Sequence, residues 1–193
     1  MRILSSTHLN VSTGVSPKSI ILGHILDTFT FILGDLKTVV ASSTTQYPVV
    51  TFVDNAGVPT GETAPSEFYD HFSVIGELDS GASYNIYFRS GEKTLPGRKN
   101  FEWVIDGEEG TIVLTSDARS SSLIGLFDPE VFFNGEKVEL GGPGGTQHNI
   151  AETWKKFVDG TDDYPTIEDA VRNRVRLDAI EKSIAEGRLV KLT

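Results

Sequence analysis

Cysteine is missing from the 193-residue sequence. That removes disulfides, thiolate metal sites and a cysteine nucleophile, and it argues against a small secreted scaffold. Positive charge is scarce: 17 Lys and Arg stand against 27 Asp and Glu, a formal net charge of −10. An acidic chain repels phosphate backbones, and no Lys/Arg stripe offsets the excess, so direct nucleic-acid binding is not expected. Long apolar runs are absent as well. The longest, Ile20–Leu33, is broken by His24 and Asp27 and is too short to span a bilayer. The opening residues, MRILSSTHLN, lack the apolar region of a signal peptide. The expectation is a soluble intracellular protein with no membrane contact.

Several catalytic signatures are also missing. There is no Walker A sequence and no G-x-G-x-x-G between a strand and a helix. There is no H-E-x-x-H, no Cys/His zinc spacing and no G-x-S-x-G elbow. The run Gly141–Gly145 follows a predicted strand, but polar residues up to Asn149 separate it from the next predicted helix, so it does not read as a phosphate cradle. No metal site is expected.

What is present describes a globular protein. Hydrophobic residues make up 38% and charged residues 23%, ordinary for a soluble domain, and a chain of this size can bury ~70% of its unfolded surface. One domain over 1–193 is expected. Arg2–Leu9 reads as a strand, and a chain opening directly on a strand suggests a domain cut out of something longer. Pro17 and Gly34 bracket a helix over Lys18–Leu33. Its apolar residues run nearly all round, which predicts burial on more than one side. Leu36–Thr44 reads as a strand, and Asp54–Pro65, rich in Gly, Pro and Asp, as a loop.

Three hairpins follow. They pair Phe68–Leu78 with Ala82–Arg89, Phe101–Ile105 with Thr111–Leu114, and Val131–Phe133 with Lys137–Leu140. Asn149 then caps a predicted helix over Ile150–Val158, and Thr166 caps a longer one ending near Glu186 and stopped by Gly187. Ile167, Ala170, Val171, Val175, Leu177, Ile180 and Ile184 give the longer helix one apolar face. Successive hairpins and late helices predict an α+β fold: an open-faced, mainly antiparallel sheet of about six strands with helices on one face. On one strand Tyr84, Ile86 and Phe88 fall on one side, and Asn85, Tyr87 and Arg89 on the other. The second side is either solvated or covered by a partner.

Of four histidines, His24 stands out, because Asp27 lies three residues on and shares its face. The carboxylate would orient the imidazole or raise its pKa; alternatively His24 is a core residue satisfied by Asp27 or by backbone. His8 and His71 sit on predicted strands and read as structural. His148 sits in the glycine-rich loop, facing either a cleft or solvent. Glu108–Glu109 and Asp162–Asp163 fall in turns and read as solvated, without glycosidase chemistry.

Four segments in order, RILSST, GHILDTFTFILGD, IDGEEGTIVLTSD and YPTIEDAVRNRVRLDAIEKS, resemble the C-terminal domain of the Gfo/Idh/MocA oxidoreductases, in the fungal branch that includes the galactose/lactose regulatory co-repressor. The resemblance implies an open-faced sheet used for oligomerisation and a separate Rossmann domain carrying NAD(P). It also implies a sugar or cyclitol substrate held between the two domains. His24 matches the family histidine and Asp27 the acidic residue after it. The catalytic aspartate expected four residues before the histidine is Ile20, which can neither take a proton nor hold a hydroxyl. The implied site is therefore degenerate: His24 and Asp27 as remnant catalytic residues, His24 and His148 toward substrate. No cofactor is expected on this chain alone, with NAD(P) only if a Rossmann domain is supplied.

Two roles follow from the resemblance. One is the substrate-binding and oligomerisation half of an NAD(P)-dependent sugar or polyol dehydrogenase, incomplete as this chain. The other is a non-catalytic regulatory module of the co-repressor kind. Expected partners are further copies of the chain through the open sheet face, a Rossmann domain, or a regulatory protein. The expected location is the cytoplasm, with the nucleus for a regulator.

Overall fold

A computed structural model describes residues 2–3, 18–54, 56, 58–66, 68–90, 95–118, 128–161 and 164–192. Two compact units divide the chain. The first is Met1–Lys93 with Glu168–Thr193, and the second is Thr94–Ile167.

In the first unit a wide π-helical turn, Lys18–Leu22, runs into helix α1 (Gly23–Leu33). Strand β1 (Arg2–Ile3) precedes it; residues 4–9 of the predicted first strand, with His8, lie outside the described residues. Strands β2 (Leu36–Thr44), β5 (His71–Leu78) and β6 (Ser83–Arg89) form antiparallel neighbours, joined by β11 (Val190–Lys191) in the order β11-β2-β5-β6. Helix α3 (Ile167–Glu186) returns the chain to this sheet. Gly187, at φ +62, ends α3 as its amide donates to Ser183 O at 2.9 Å.

Alternation along the sheet places Phe72, Val74 and Leu78 of β5, Tyr84 of β6, and Val39 and Ala41 of β2 in the core with Leu22, Leu26, Phe29, Leu177 and Ile180 of the helices. Tyr84 is buried while Asn85 and Tyr87 are exposed, as their alternation predicts. The opposite face shows Ser42, Thr44, Ser73, Ile75, Asn85 and Tyr87.

A bulge between Leu36 and Thr38 aims the Thr38 carbonyl at Gly76; a Cβ on Gly76 would lie 1.9 Å from that oxygen. The Tyr84 hydroxyl donates to the same carbonyl at 3.0 Å. Arg176, 7% exposed on α3, donates from Nε and Nη2 to the two Asp35 carboxylate oxygens at 2.8 and 2.9 Å. That bidentate pair ties α3 to the end of α1, and it holds the Asp35 carboxyl below its usual range.

Strands β3 (Val49–Val53) and β4 (Pro59–Pro65) make a second, three-stranded sheet with β1, which pairs parallel to β3. Neither strand was expected. Val49-Val-Thr-Phe-Val53 is a β-branched run that its short length hid. Most of the predicted 54–65 loop is β4, an edge strand whose one unpaired side tolerates Pro59 and Pro65.

The second unit holds four antiparallel strands: β7 (Phe101–Gly107), β8 (Gly110–Ser116), β9 (Glu130–Phe133) and β10 (Glu136–Val138). Asn134 and Gly135, both at positive φ (51° and 85°), make the β9–β10 turn. Helix α2 (Thr146–Asp159) follows. The α+β class and the antiparallel hairpins stand as expected. The strands are divided among three sheets, and the register shifts lie within the β2–β5 and β3–β4 pairs.

Candidate functional site

The wide turn and α1 set the geometry of the predicted site. Leu22, Gly23, Leu26, Phe29 and Thr30 face inward, with steps of one, three, three and one that make one buried stripe. The outward stripe is Ile20, His24, Asp27 and Phe31. Ile20 is 40% exposed, Phe31 85%, and His24 is exposed. The apolar residues therefore do not all find cover, which corrects the expectation of a helix buried on more than one side.

Gly23 is buried where α3 packs on α1, and a Cβ there would make ordinary contact with Leu177 Cδ1 at 3.7 Å. Asn173 of α3 donates to the Gly23 carbonyl at 2.8 Å, which fixes the turn between Ile20 and His24. A π turn in this position is a feature often found at functional sites.

His24 is not a core residue, and among the described residues no hydrogen bond or ion pair joins it to Asp27. The carboxylate therefore does not orient the imidazole here. Ile20, His24 and Asp27 do share the outward face. Of the two ionisable groups on that stripe, His24 lies one helical turn from Ile20 and Asp27 two.

His148 lies in the first turn of α2 and not in a loop, because α2 begins at Thr146. It is half-buried in the second unit. The helix starts four residues earlier than Asn149 suggested, and Asn149 lies inside it. The glycine run Gly141–Gly145 consequently leads straight into a helix N-terminus, the arrangement in which phosphates are bound. It does not fit one. A Cβ on Gly144 would meet Asp128 Oδ2 at 2.4 Å, and Asn149 Nδ2 donates to Asp128 Oδ1 at 3.4 Å. The Asp128 carboxylate thus lies against the glycine run, and its negative charge would repel a phosphate brought there. No dinucleotide cradle is formed by the described residues, and no group of three or more His, Asp or Glu among them could hold a metal.

Sequence reasoning passed over Asp70. Its carboxylate is 2% exposed and accepts hydrogen bonds from the backbone N–H of Gln46 (2.8 Å) and Tyr47 (2.7 Å), with His71 Nδ1 at 2.7 Å. Burial alone pushes this carboxyl up. The bonds from Gln46, His71 and Tyr47 outweigh burial and hold it below the ordinary aspartate range. The His71 ring stands between Tyr47 and Tyr87, at 6.2 and 6.4 Å between centroids. His71 is thus bound into the strand entry, on the open side of the sheet. The adjacent Asp70-His71 pair just before a β-rich run was the available signal.

Among the described residues no helix is long and apolar enough to cross a membrane.

A family model described as Gal80p, C-terminal domain, matches residues 4–116. Among curated protein sequences none matches. Solved structures that share the fold include Gal80p super-repressor mutant E351K from Saccharomyces cerevisiae, at TM-score 0.83 and 19% identity, covering 98% of this chain and 53% of that one. Transcriptional regulator Gal80p from Kluyveromyces lactis follows at TM-score 0.82 and 21% identity, covering 98% and 51%. Levoglucosan dehydrogenase in complex with NADH and L-sorbose aligns at TM-score 0.73 and 21% identity, covering 98% and 54%. The chain spans about half the length of these structures. Its fold is that of the C-terminal domain of Gfo/Idh/MocA-type oxidoreductases, shared by regulators and NAD-binding enzymes. With more than half of its residues matched by the family model, the chain belongs to the Gal80p C-terminal-domain-like family.

Proposed function

We propose that this chain is the partner-facing half of a two-domain, dehydrogenase-like protein and turns over no substrate by itself. The observation that carries this reading is Ile20. It stands on the outward stripe one turn before His24, where the resemblance expects the catalytic carboxylate. An isoleucine supplies no proton and holds no hydroxyl. Hydride transfer needs a nicotinamide, and among the described residues the Asp128 carboxylate beside Gly144 disfavours a phosphate at the start of α2. NAD(P) would therefore have to be carried by a separate Rossmann half of the kind the resemblance implies. The degenerate stripe favours the regulatory role over the enzymatic one. Further copies of the chain would associate through the open face of the β11-β2-β5-β6 sheet around Tyr87, and a regulator would work in the nucleus as well as the cytoplasm.

The test is a two-domain fusion carrying the NADH-binding half of levoglucosan dehydrogenase before Met1, offered NAD and a panel of sugars and polyols. The expected result is no turnover by the fusion and no NADH binding by the chain alone. Ile20→Asp in the fusion decides between the roles, since appearance of turnover would show an enzyme site short of one group. Turnover by the unsubstituted fusion would refute the proposal.

A further inference from the structure

Helix α2 has a problem that its own unit does not solve. It runs 14 residues and none of them is buried. Isolated helices shorter than ~12–15 residues are marginal in water, and helices in proteins are held mostly by packing an apolar face. Helix α2 has such a face. Ile150, Trp154, Phe157 and Val158 follow the spacing four, three, one along a single side, and all are exposed, Trp154 at 63% and Val158 at 77%. The face is also ordered. Trp154 meets Phe157 edge to face at 5.8 Å, and Phe157 meets Tyr164 at 5.3 Å. Large aromatics arranged this way and left in water mark an interaction surface.

The occupant is indicated by what the relatives possess. The family match is to a C-terminal domain, and this chain, aligned over 98% of its length, accounts for only 51–54% of three solved relatives. About half of each of those chains lies outside the matched part, and a part described as a C-terminal domain has the remainder before it. We infer that the Ile150–Trp154–Phe157–Val158 face of α2 is a seat for that preceding half, so that the helix becomes fully formed only when the other half is present. This rests on the two-domain reading above, but it concerns a different surface from the Ile20–His24 stripe and from the open sheet face.

Hydrogen exchange over residues 150–158 and tryptophan emission test it, with Trp103→Phe leaving Trp154 as the sole reporter. The 193-residue chain is compared with the same chain fused behind the first half of Kluyveromyces lactis Gal80p. A parallel fusion to the first half of levoglucosan dehydrogenase serves if the first does not melt cooperatively. The expected result is exchange in α2 at least ten-fold slower in the fusion than in the chain, with Trp154 emission shifted to the blue. Ile150→Ser with Val158→Ser would reverse both effects. Protection of α2 already present in the free chain, lost on dilution and in the double variant, would overturn the inference in favour of a second copy. Unchanged α2 in a folded fusion that binds NADH would overturn it while leaving the two-domain reading intact. A folded fusion whose halves tumble independently would sink both.

Discussion

At Gly76 the limit on substitution is set by a backbone oxygen, not by a dihedral angle. The Thr38 carbonyl lies 1.9 Å from where a Cβ would be, and that carbonyl is already held by the Tyr84 hydroxyl. Gly76→Ala must open the β2–β5 ladder at its bulge. It is expected to cost about 2–3 kcal/mol, within the range of overpacked cores, read from the urea midpoint. Asp70 offers a pH-dependent counterpart. Its folded pKa lies below its unfolded one, so its contribution is fully present above the unfolded value, ~3.9. That contribution disappears as pH falls through the folded value. Asp70→Asn is expected to lose about 1–3 kcal/mol at pH 7, the scale of hydrogen bonds to a charged group. The loss should shrink toward zero in acid, where the wild-type carboxyl is protonated too. A difference between the two proteins that stays constant from pH 7 to pH 2.5 would show that the charge of Asp70 contributes nothing.

Among elements, α3 illustrates both what the sequence conveys and what it cannot. Its bounds follow from Thr166 and Gly187, and Leu177 and Ile180 are core as expected. Ile167, Val171 and Val175 were assigned to the same face, yet they are exposed. The buried stripe is Arg176, Leu177, Ala179, Ile180 and Ser183. An apolar count cannot find Arg176, because its burial depends on Asp35, 141 residues away. Nor can it find Ser183, whose hydroxyl accepts from the Ala41 amide at 2.9 Å and donates to Arg188 O at 2.7 Å. Strand β11 pairs only with Val39 and Thr38, so Ser183 takes over the edge of β2 where β11 ends. Ser183→Ala is expected to leave the Ala41 amide unpaired, at a cost of about 1–3 kcal/mol, and to speed its hydrogen exchange selectively. The candidate site divides in the same way. The shared face of His24 and Asp27 was legible because helical spacing is local, whereas Ile20 was singled out only by the resemblance. The Asp70 hydrogen bonds to Gln46 and Tyr47 and the approach of Asp128 to Gly144 were not, because each depends on residues distant in sequence.

On the scale of the whole chain, burial is distributed unevenly. Every buried apolar side chain among the described residues belongs to the first unit, from Leu22 to Tyr84 and from Leu177 to Val190. In the second unit the only buried residue among those described is Thr115. Its hairpins are held by ladder hydrogen bonds and half-covered side chains such as Trp103 and Leu114. Ladder bonds exposed to water contribute little net stability, whereas burial of apolar area is the dominant favourable term in folding. The second unit should therefore open at lower denaturant than the first, a departure from two-state behaviour expected where stability differs between units. The chain provides its own reporters, since both tryptophans, Trp103 and Trp154, lie in the second unit. Tryptophan emission is expected to change at a lower urea concentration than amide exchange at Val39, Val74 and Ile180 in the first-unit core. Supplying the preceding half should draw the two transitions together by covering α2. Coincident transitions in the 193-residue chain alone would mean that the second unit draws its stability from the first, and that its apolar helix needs no outside cover.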